Sequence, residues 1–522
     1  MKISDLLVNA AAAFPKDTAA VYLERSLNYR ELDQAASRLA ARLRRLDLEP
    51  GSRVAILFEN CLEYLIGFFG VQAAGLVGVP LDTSLASENL NYMLADCGAR
   101  VLIVQGKYRR HLSAILGDNL SIQLLISDKP IQADCPSVPF ELLSDIVGGD
   151  GDENPLPSDS FSSDLNTLSD ELAAIFYTSG STGEPKGVML SHRNLVSNTQ
   201  ATVEYLKLTS DDSVLVILPF YYIYGNSLLL THVACGGAVV IDNRFMYPEV
   251  VLDTLEESKA TGFAGVPSTF MIALNKSTIA RRPLKHLKYI TQAGGAMAPE
   301  VTRQLIAACP NQKIWVMYGQ TEAAPRVTYL PPDMLEKKLG SIGIPVPGVE
   351  VKIVDTSGKE VASGETGEIV VGGPNVMLGY WNQPDETAEV IRDGWLVTGD
   401  LARYDEDGYF YVVGRKREII KAAGHRVSAK EIEERILEYD KIAEAAVIGL
   451  PDEVFGEAIQ AVVVLKSDCE SDEKEIQAWC QKRLAAFKVP KTVLFVDTLP
   501  KIQSGKINKL KLKELCQAGA QD

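Results

Sequence analysis

The stretch FYTSGSTGEPKGVML, residues 176–190, sets glycines, hydroxyls and one Pro-Lys-Gly turn between two apolar runs. That composition suits a phosphate cradle. Glycines let the backbone approach a ligand and turn its N–H groups inward, hydroxyls add donors, and one lysine adds charge. It is not a Walker-type P-loop, in which Gly-Lys-Ser/Thr directly opens a helix. Here Glu184 and Pro185 separate Gly183 from Lys186. The plain alternative is a polar hairpin tip. Four hydroxyls (Thr178, Ser179, Ser181, Thr182) beside Gly180, Gly183 and the Pro-Lys-Gly turn argue for the cradle.

On the N-terminal side, residues 17–147 alternate helical and strand signals. LNYRELDQAASRLAARLRRL has apolar residues at helical spacing, RVAILF and ARVLIV are short β-rich runs, and CLEYLIGFFGVQAAGLVGVPL reads as a buried helix followed by a strand. A polar Asp/Ser/Gly-rich stretch over 148–171 is expected to be a loose surface connection. From 172 to about 400 strand-like runs resume: LAAIFYTS, SVLVILPF, GAVVI, TGFAGVPS, KYITQAGG and KIWVMYG. After 340, β runs separated by Gly/Ser/Asp turns indicate hairpins rather than βαβ units. The expected fold class is α/β: a large N-terminal body of mostly parallel βα layers plus a β-rich subdomain, with a small mobile C-terminal α+β lid. The expected division is 1–413 and 418–522, with a hinge at 414–417.

The length of 522 residues exceeds what one hydrophobic core organises, which also points to several domains. A net charge of −16 argues against nucleic-acid and anionic-membrane partners, since no basic excess offsets phosphate repulsion. The eight cysteines have no C-x-x-C or metal-ligand spacing and read as small buried hydrophobes in a reducing compartment. MKISDLLVNAAAAFPKD makes a poor signal peptide and a better short amphipathic helix. A cytoplasmic enzyme is the expectation.

The 177–188 loop resembles the signature loop of the adenylate-forming superfamily, which includes acyl-CoA synthetases, aryl-CoA ligases, nonribosomal adenylation domains and luciferases. Further motifs follow in that family's order. YGQTE (318–322) is similar to its aromatic-Gly-x-Thr-Glu motif and GWLVTGD (394–400) to its Thr-Gly-Asp. GRKREIIKAAGHRVSAKEIE (414–433) is similar to its hinge and thioester segment, and LPKIQSGKINK (499–509) to its C-terminal lysine motif. Each alone is weak, but five in order over 177–509 are specific.

The resemblance implies ATP and Mg²⁺ as cofactors. It implies activation of a carboxylic acid to an acyl-adenylate with release of pyrophosphate, then transfer to a phosphopantetheine thiol. Two anions must meet, so positive charge is needed where they react. Lys506 is implied to bridge the carboxylate and the α-phosphate, assisted by Thr321 and Lys186; read alone, Lys506 is a solvated surface lysine. Glu322 with Thr178 would hold Mg²⁺. The nucleotide is implied to lie along Thr178, Ser179, Gly180, Ser181, Thr182 and Gly183, against Gly295, Ala296 and Met297, and over Tyr318, Gly319, Gln320 and Thr321. Asp400 and Arg415 would take the ribose. Arg417 stands where the family commonly has Asp or Lys as the hinge. Gly424 matches the glycine at the thiol entry, and Lys421 a lysine that in some relatives reaches the site after rotation.

The acid pocket is expected around LPFYYIYGNS (218–227), with Tyr221, Tyr222 and Gly225, and around Gly294. No acidic residue occurs in 213–241, which disfavours an α-amino acid, whose ammonium would be buried without a partner. The acceptor is CoA or a phosphopantetheinylated carrier protein, and Arg426 and Lys430 are candidates for the CoA 3′-phosphate. YGQTEAAPRVTYLPP (318–332) also resembles stand-alone ligases that load small or imino acids such as proline onto carrier proteins. A different class is a non-catalytic nucleotide-binding scaffold, which would have no need to keep Lys506.

Overall fold

The computed structural model describes residues 1–117, 121–131, 138–148, 168–179, 185–422, 424–452, 456–467, 469–501 and 505–518. Most of the 148–171 connection and the cradle residues Gly180, Ser181, Thr182 and Gly183 lie outside the described residues.

Among the described residues the body holds two large sheets. One runs Ile344–Pro345, Thr328–Leu330, Lys313–Tyr318, Tyr289–Gln292, Gly262–Gly265, Ser213–Val216, Ala238–Ile241, Thr18–Tyr22, Arg25–Asn28. Its central strands are parallel, and antiparallel strands close both edges. The other places Leu172–Ser179 beside Val77–Pro80, then Arg53–Leu57, Val101–Val104, Leu124–Ser127 and Phe140–Leu142, again parallel. The 176–190 stretch folds as a hairpin on this sheet: Leu172–Ser179 pairs antiparallel with Pro185–Ser191, which takes Gly379–Tyr380 on its far side.

The helices between strands follow from their sequence. Tyr29–Arg44 starts with Asn28, whose side chain accepts from the Glu31 N–H while Glu31 answers the Asn28 N–H. It buries Leu32, Ala36, Leu39 and Leu43 at helical spacing. Leu62–Ala73 is apolar on nearly every side and buried accordingly. Ser191 caps His192–Leu206 in the same reciprocal way with Asn194.

Past residue 345 the topology changes to antiparallel ladders joining Glu350–Val354, Gly367–Gly372, Trp395–Tyr404 and Phe410–Arg415. A separate C-terminal sheet follows, from His425–Ser428, Ile419–Ala422, Gly456–Leu465, Ile442–Asp452 and Thr492–Phe495. Helices Ala429–Leu437 and Glu473–Gln481 bury Ile432, Ile436, Ile476 and Cys480 against one face of it. Leu512 and Cys516 of Lys509–Ala518 cover Ala446, Ile448 and Val462 on the other. A C-terminal α+β unit with its own core is the result. No helix among the described residues is long and apolar enough to cross a membrane. Cys61, Cys97, Cys309, Cys480 and Cys516 are buried thiols and Cys235 and Cys469 partly so; Cys135 lies outside the described residues.

Candidate active site

In open α/β sheets a ligand crevice forms outside the carboxyl ends of the parallel strands. The cleft, of about 770 Å³, opens where the strands Tyr289–Gln292 and Lys313–Tyr318 end. Ala293 and Gly294 follow the first, Tyr318 ends the second and Gly319, Gln320, Thr321 and Glu322 follow it, and all seven line the cleft with Tyr222. Thr178 and Lys186 reach it from the hairpin, and Arg415 and Arg417 from the segment leading to the C-terminal unit. Lys506 lines it from beyond residue 500.

Gly319 is required by close approach: a Cβ there would sit 1.6 Å from the Pro325 carbonyl oxygen. The chain doubles back after Tyr318, and this contact sets Thr321 and Glu322 on the cleft wall. Glu322 Oε1 accepts from the Tyr380 hydroxyl at 2.9 Å, and its other oxygen has no protein hydrogen bond among the described residues. Lys186 Nζ stands 5.3 Å from the Tyr380 ring centre and 4.0 Å from Glu386. Burial, then the Glu322 charge, raises the Tyr380 hydroxyl above its ordinary pKa, so it remains a donor.

Asp400 is 4% exposed and lies behind the cleft lining. Its Oδ2 accepts from the Tyr318 hydroxyl at 2.6 Å, and its Oδ1 from Arg415 Nε at 2.8 Å. Burial, then the Asp400 charge, pushes the Tyr318 hydroxyl well up, while that charge also raises Arg415. Lys506 Nζ lies 5.4 Å from the Tyr222 ring centre, and the preceding Gly505 carbonyl accepts from Ser268 Oγ at 2.6 Å.

Several expected residues lie elsewhere. Tyr221 is buried beside Asp82 and Thr83, away from the cleft, because adjacent side chains in the 217–222 turn diverge and only Tyr222 faces inward. Gly225 is a packing glycine: a Cβ there would meet the Pro219 carbonyl oxygen at 2.1 Å. Gly295 and Ala296 are exposed outside the lining and Met297 is part of the hydrophobic core. Lys421 and Gly424 sit on the C-terminal sheet, exposed and away from the cleft. Lys430, a candidate for the CoA phosphate, instead donates to the Val412 carbonyl at 2.5 Å and lies 3.5 Å from Glu434. Arg426 is exposed. The sequence reading missed Tyr380, Arg392 and Arg326, all of which line the cleft. Arg326 lies in the stretch 318–332 with no role assigned to it there, and nothing in the local sequence of Tyr380 or Arg392 distinguishes them.

Comparison with known proteins gives the same assignment. The AMP-binding enzyme family matches residues 7–381 and the AMP-binding enzyme C-terminal domain residues 431–506. Feruloyl-CoA synthase of an Amycolatopsis species is 36% identical over 96% of each chain. A long-chain-fatty-acid–CoA ligase of Bacillus subtilis is 33% identical over 98% of this chain and 94% of its own. Among solved structures, the anthranilate CoA ligase AuaEII in complex with anthranoyl-AMP superposes with a TM-score of 0.89 at 26% identity, covering 100% of this chain and 98% of that one. The chain belongs to the AMP-binding enzyme family, and it is an AMP-forming ligase.

Proposed function

We propose that this cleft carries both half-reactions of a cytoplasmic acid–CoA ligase, and we assign roles to its residues. The chain activates a carboxylic acid with ATP as an acyl-adenylate and passes the acyl group to a thiol. A carboxylate oxygen attacks the α-phosphorus as the bond to the β-phosphate oxygen breaks and pyrophosphate leaves. The thiol sulfur then attacks the acyl carbonyl, AMP departs, and the thiol proton passes to solvent. The buried, unpaired thiols suit a reducing compartment.

The observation that carries the assignment is Lys506. A residue from the C-terminal unit lines the same cleft as Thr178, Lys186 and Glu322. Its ammonium offsets the repulsion between carboxylate and phosphate, with Lys186 and the Thr321 hydroxyl assisting at the phosphates. Tyr318 supports the adenine, and the Asp400–Arg415 pair receives the ribose. Glu322 and Thr178 fit Mg²⁺, because a carboxylate with one oxygen unbonded among the described residues and a hydroxyl lining the same cleft are what a cation held mostly by phosphates needs. When bound, that ion neutralises phosphate charge.

We assign residues 1–413 to the body, 418–522 to the lid and 414–417 to the hinge. Lid rotation at Arg417 would withdraw Lys506 and carry Lys421 and Gly424 toward the cleft for the thiol step. CoA is the acceptor this reading favours, since each relative named above acts with CoA by its own name. A carrier-protein acceptor has no such support, and a proline-like imino acid would bring its cation into a pocket already lined by Arg326.

Acid-dependent exchange of labelled pyrophosphate into ATP, followed by mass detection of an acyl-CoA, tests the assignment. At least one acid in a broad panel should support both. Nucleotide binding with no exchange for any acid would leave the scaffold reading in its place.

A further inference from the structure

Arg326 is 1% exposed and lines the cleft on the side of Tyr222, Tyr224 and Gly294. Its guanidinium lies 4.8 Å from the Tyr224 ring centre. Nη1 donates to the Tyr205 hydroxyl at 3.2 Å and to Met317 Sδ at 2.8 Å, and Nη2 donates to Ser227 Oγ at 3.0 Å. Nε is buried without a hydrogen-bond partner among the described residues. Of five N–H donors, then, three are answered, all by neutral groups and one by a weak sulfur acceptor. No carboxylate among the described residues pairs with it, and 213–241, which supplies the facing helix Ile223–Cys235, has no acidic residue.

A buried guanidinium is ordinarily retained with an anionic partner, because desolvating an unpaired charge is costly. The Nε–Nη2 edge keeps two of its three donors, which is the complement of a carboxylate bound through both oxygens. The reacting carboxylate belongs beside Lys506, which also reaches Tyr222. We propose that the substrates are dicarboxylic acids: one carboxylate is activated next to Lys506 while the other is received by Arg326. This rests on the ligase reading above and names its substrate class. A plain alkyl or aryl acid leaves the Nε–Nη2 edge unanswered, and an acid bearing an ammonium is repelled by it.

The test is kcat/KM for exchange with isosteric pairs, hexanedioate against 6-methylheptanoate and benzene-1,4-dicarboxylate against 4-isopropylbenzoate. Wild-type enzyme should prefer the diacid of at least one pair by about a hundredfold, mainly through KM. Arg326→Met should reverse that preference, and Arg326→Lys, which keeps charge but loses the fork, should retain part of it. Equal or better use of both monoacids by the wild type would overturn the proposal whether or not the variants fold. So would a folded Arg326→Met that loses both members of a pair equally. No exchange with any acid would overturn the ligase reading itself, and this inference with it.

Discussion

The Ser268 hydroxyl, on the helix Pro267–Lys276 of the body, donates to the backbone carbonyl of Gly505 at 2.6 Å. The next residue is Lys506, so this hydrogen bond from the body to the C-terminal segment helps to set where the ammonium enters the cleft. Ser268→Ala removes a bond worth about 1 kcal/mol. Pyrophosphate exchange should fall three- to tenfold, with thioester formation from a supplied acyl-adenylate unchanged. An equal drop in both would show that Ser268 supports the fold rather than the placement of Lys506.

Gly319→Ala should be poorly tolerated, because the added carbon would overlap the Pro325 carbonyl, which is backbone and not free to swing aside. A loss of several kcal/mol in urea unfolding, or failure to fold, is expected. Wild-type stability with full exchange activity would contradict the close approach seen here.

Much of the fold was legible because its strands are short apolar runs punctuated by Gly and Pro, and the change to hairpins after 340 shows in the spacing of turn residues. The site was legible where a motif is local, as in Tyr318–Glu322, which lines the cleft. The 176–190 stretch, read as a cradle, folds as a hairpin whose residues 180–184 lie outside the described residues. The site was not legible where the geometry is irregular or assembled over distance. Tyr221 and Tyr222 are identical neighbours, and only the course of the turn decides which enters the cleft. Gly225 reads as a residue of the acid pocket in the sequence and in the structure packs against the Pro219 carbonyl. Arg326 falls within the stretch 318–332 but was given no role there, and its isolation from carboxylates appears only in the fold.

Acid sensitivity has two identifiable sources. Burial, and for His192 then the Lys2 charge, lowers His192 and His232 from an ordinary 6.5 to about 4. His192 Nδ1 accepts the Ile3 N–H at 3.2 Å. His232 Nδ1 lies 2.9 Å from the Leu228 carbonyl, so it carries the proton, and Nε2 accepts from Tyr289 at 2.9 Å. Below 6.5 the unfolded chain takes up protons that the folded chain refuses. Stability is therefore complete above pH 6.5 and is lost as pH falls toward 4, by up to roughly 3 kcal/mol per histidine. His192→Gln should flatten the decline in urea midpoint between pH 7 and 5. An unchanged slope would remove His192 from the account.

Arg417 lies in the 3₁₀ turn Lys416–Glu418, and the φ typical of 3₁₀ helices, about −50 to −70°, is one that proline adopts. Under the proposed lid rotation at Arg417, Arg417→Pro should keep pyrophosphate exchange within a few-fold of wild type, whereas acyl-CoA formation should fall at least tenfold, because a proline there would resist the turn. Wild-type rates in both steps would place the pivot elsewhere.

The most direct measurement compares the two half-reactions of Lys506→Ala: exchange of pyrophosphate into ATP with acid, and acyl-CoA formation from a supplied acyl-adenylate. The account predicts a loss of exchange by several orders of magnitude with thioester formation reduced no more than a few-fold, since Lys506 serves only the attack on phosphorus. Equal loss in both half-reactions, or retained exchange, would contradict it.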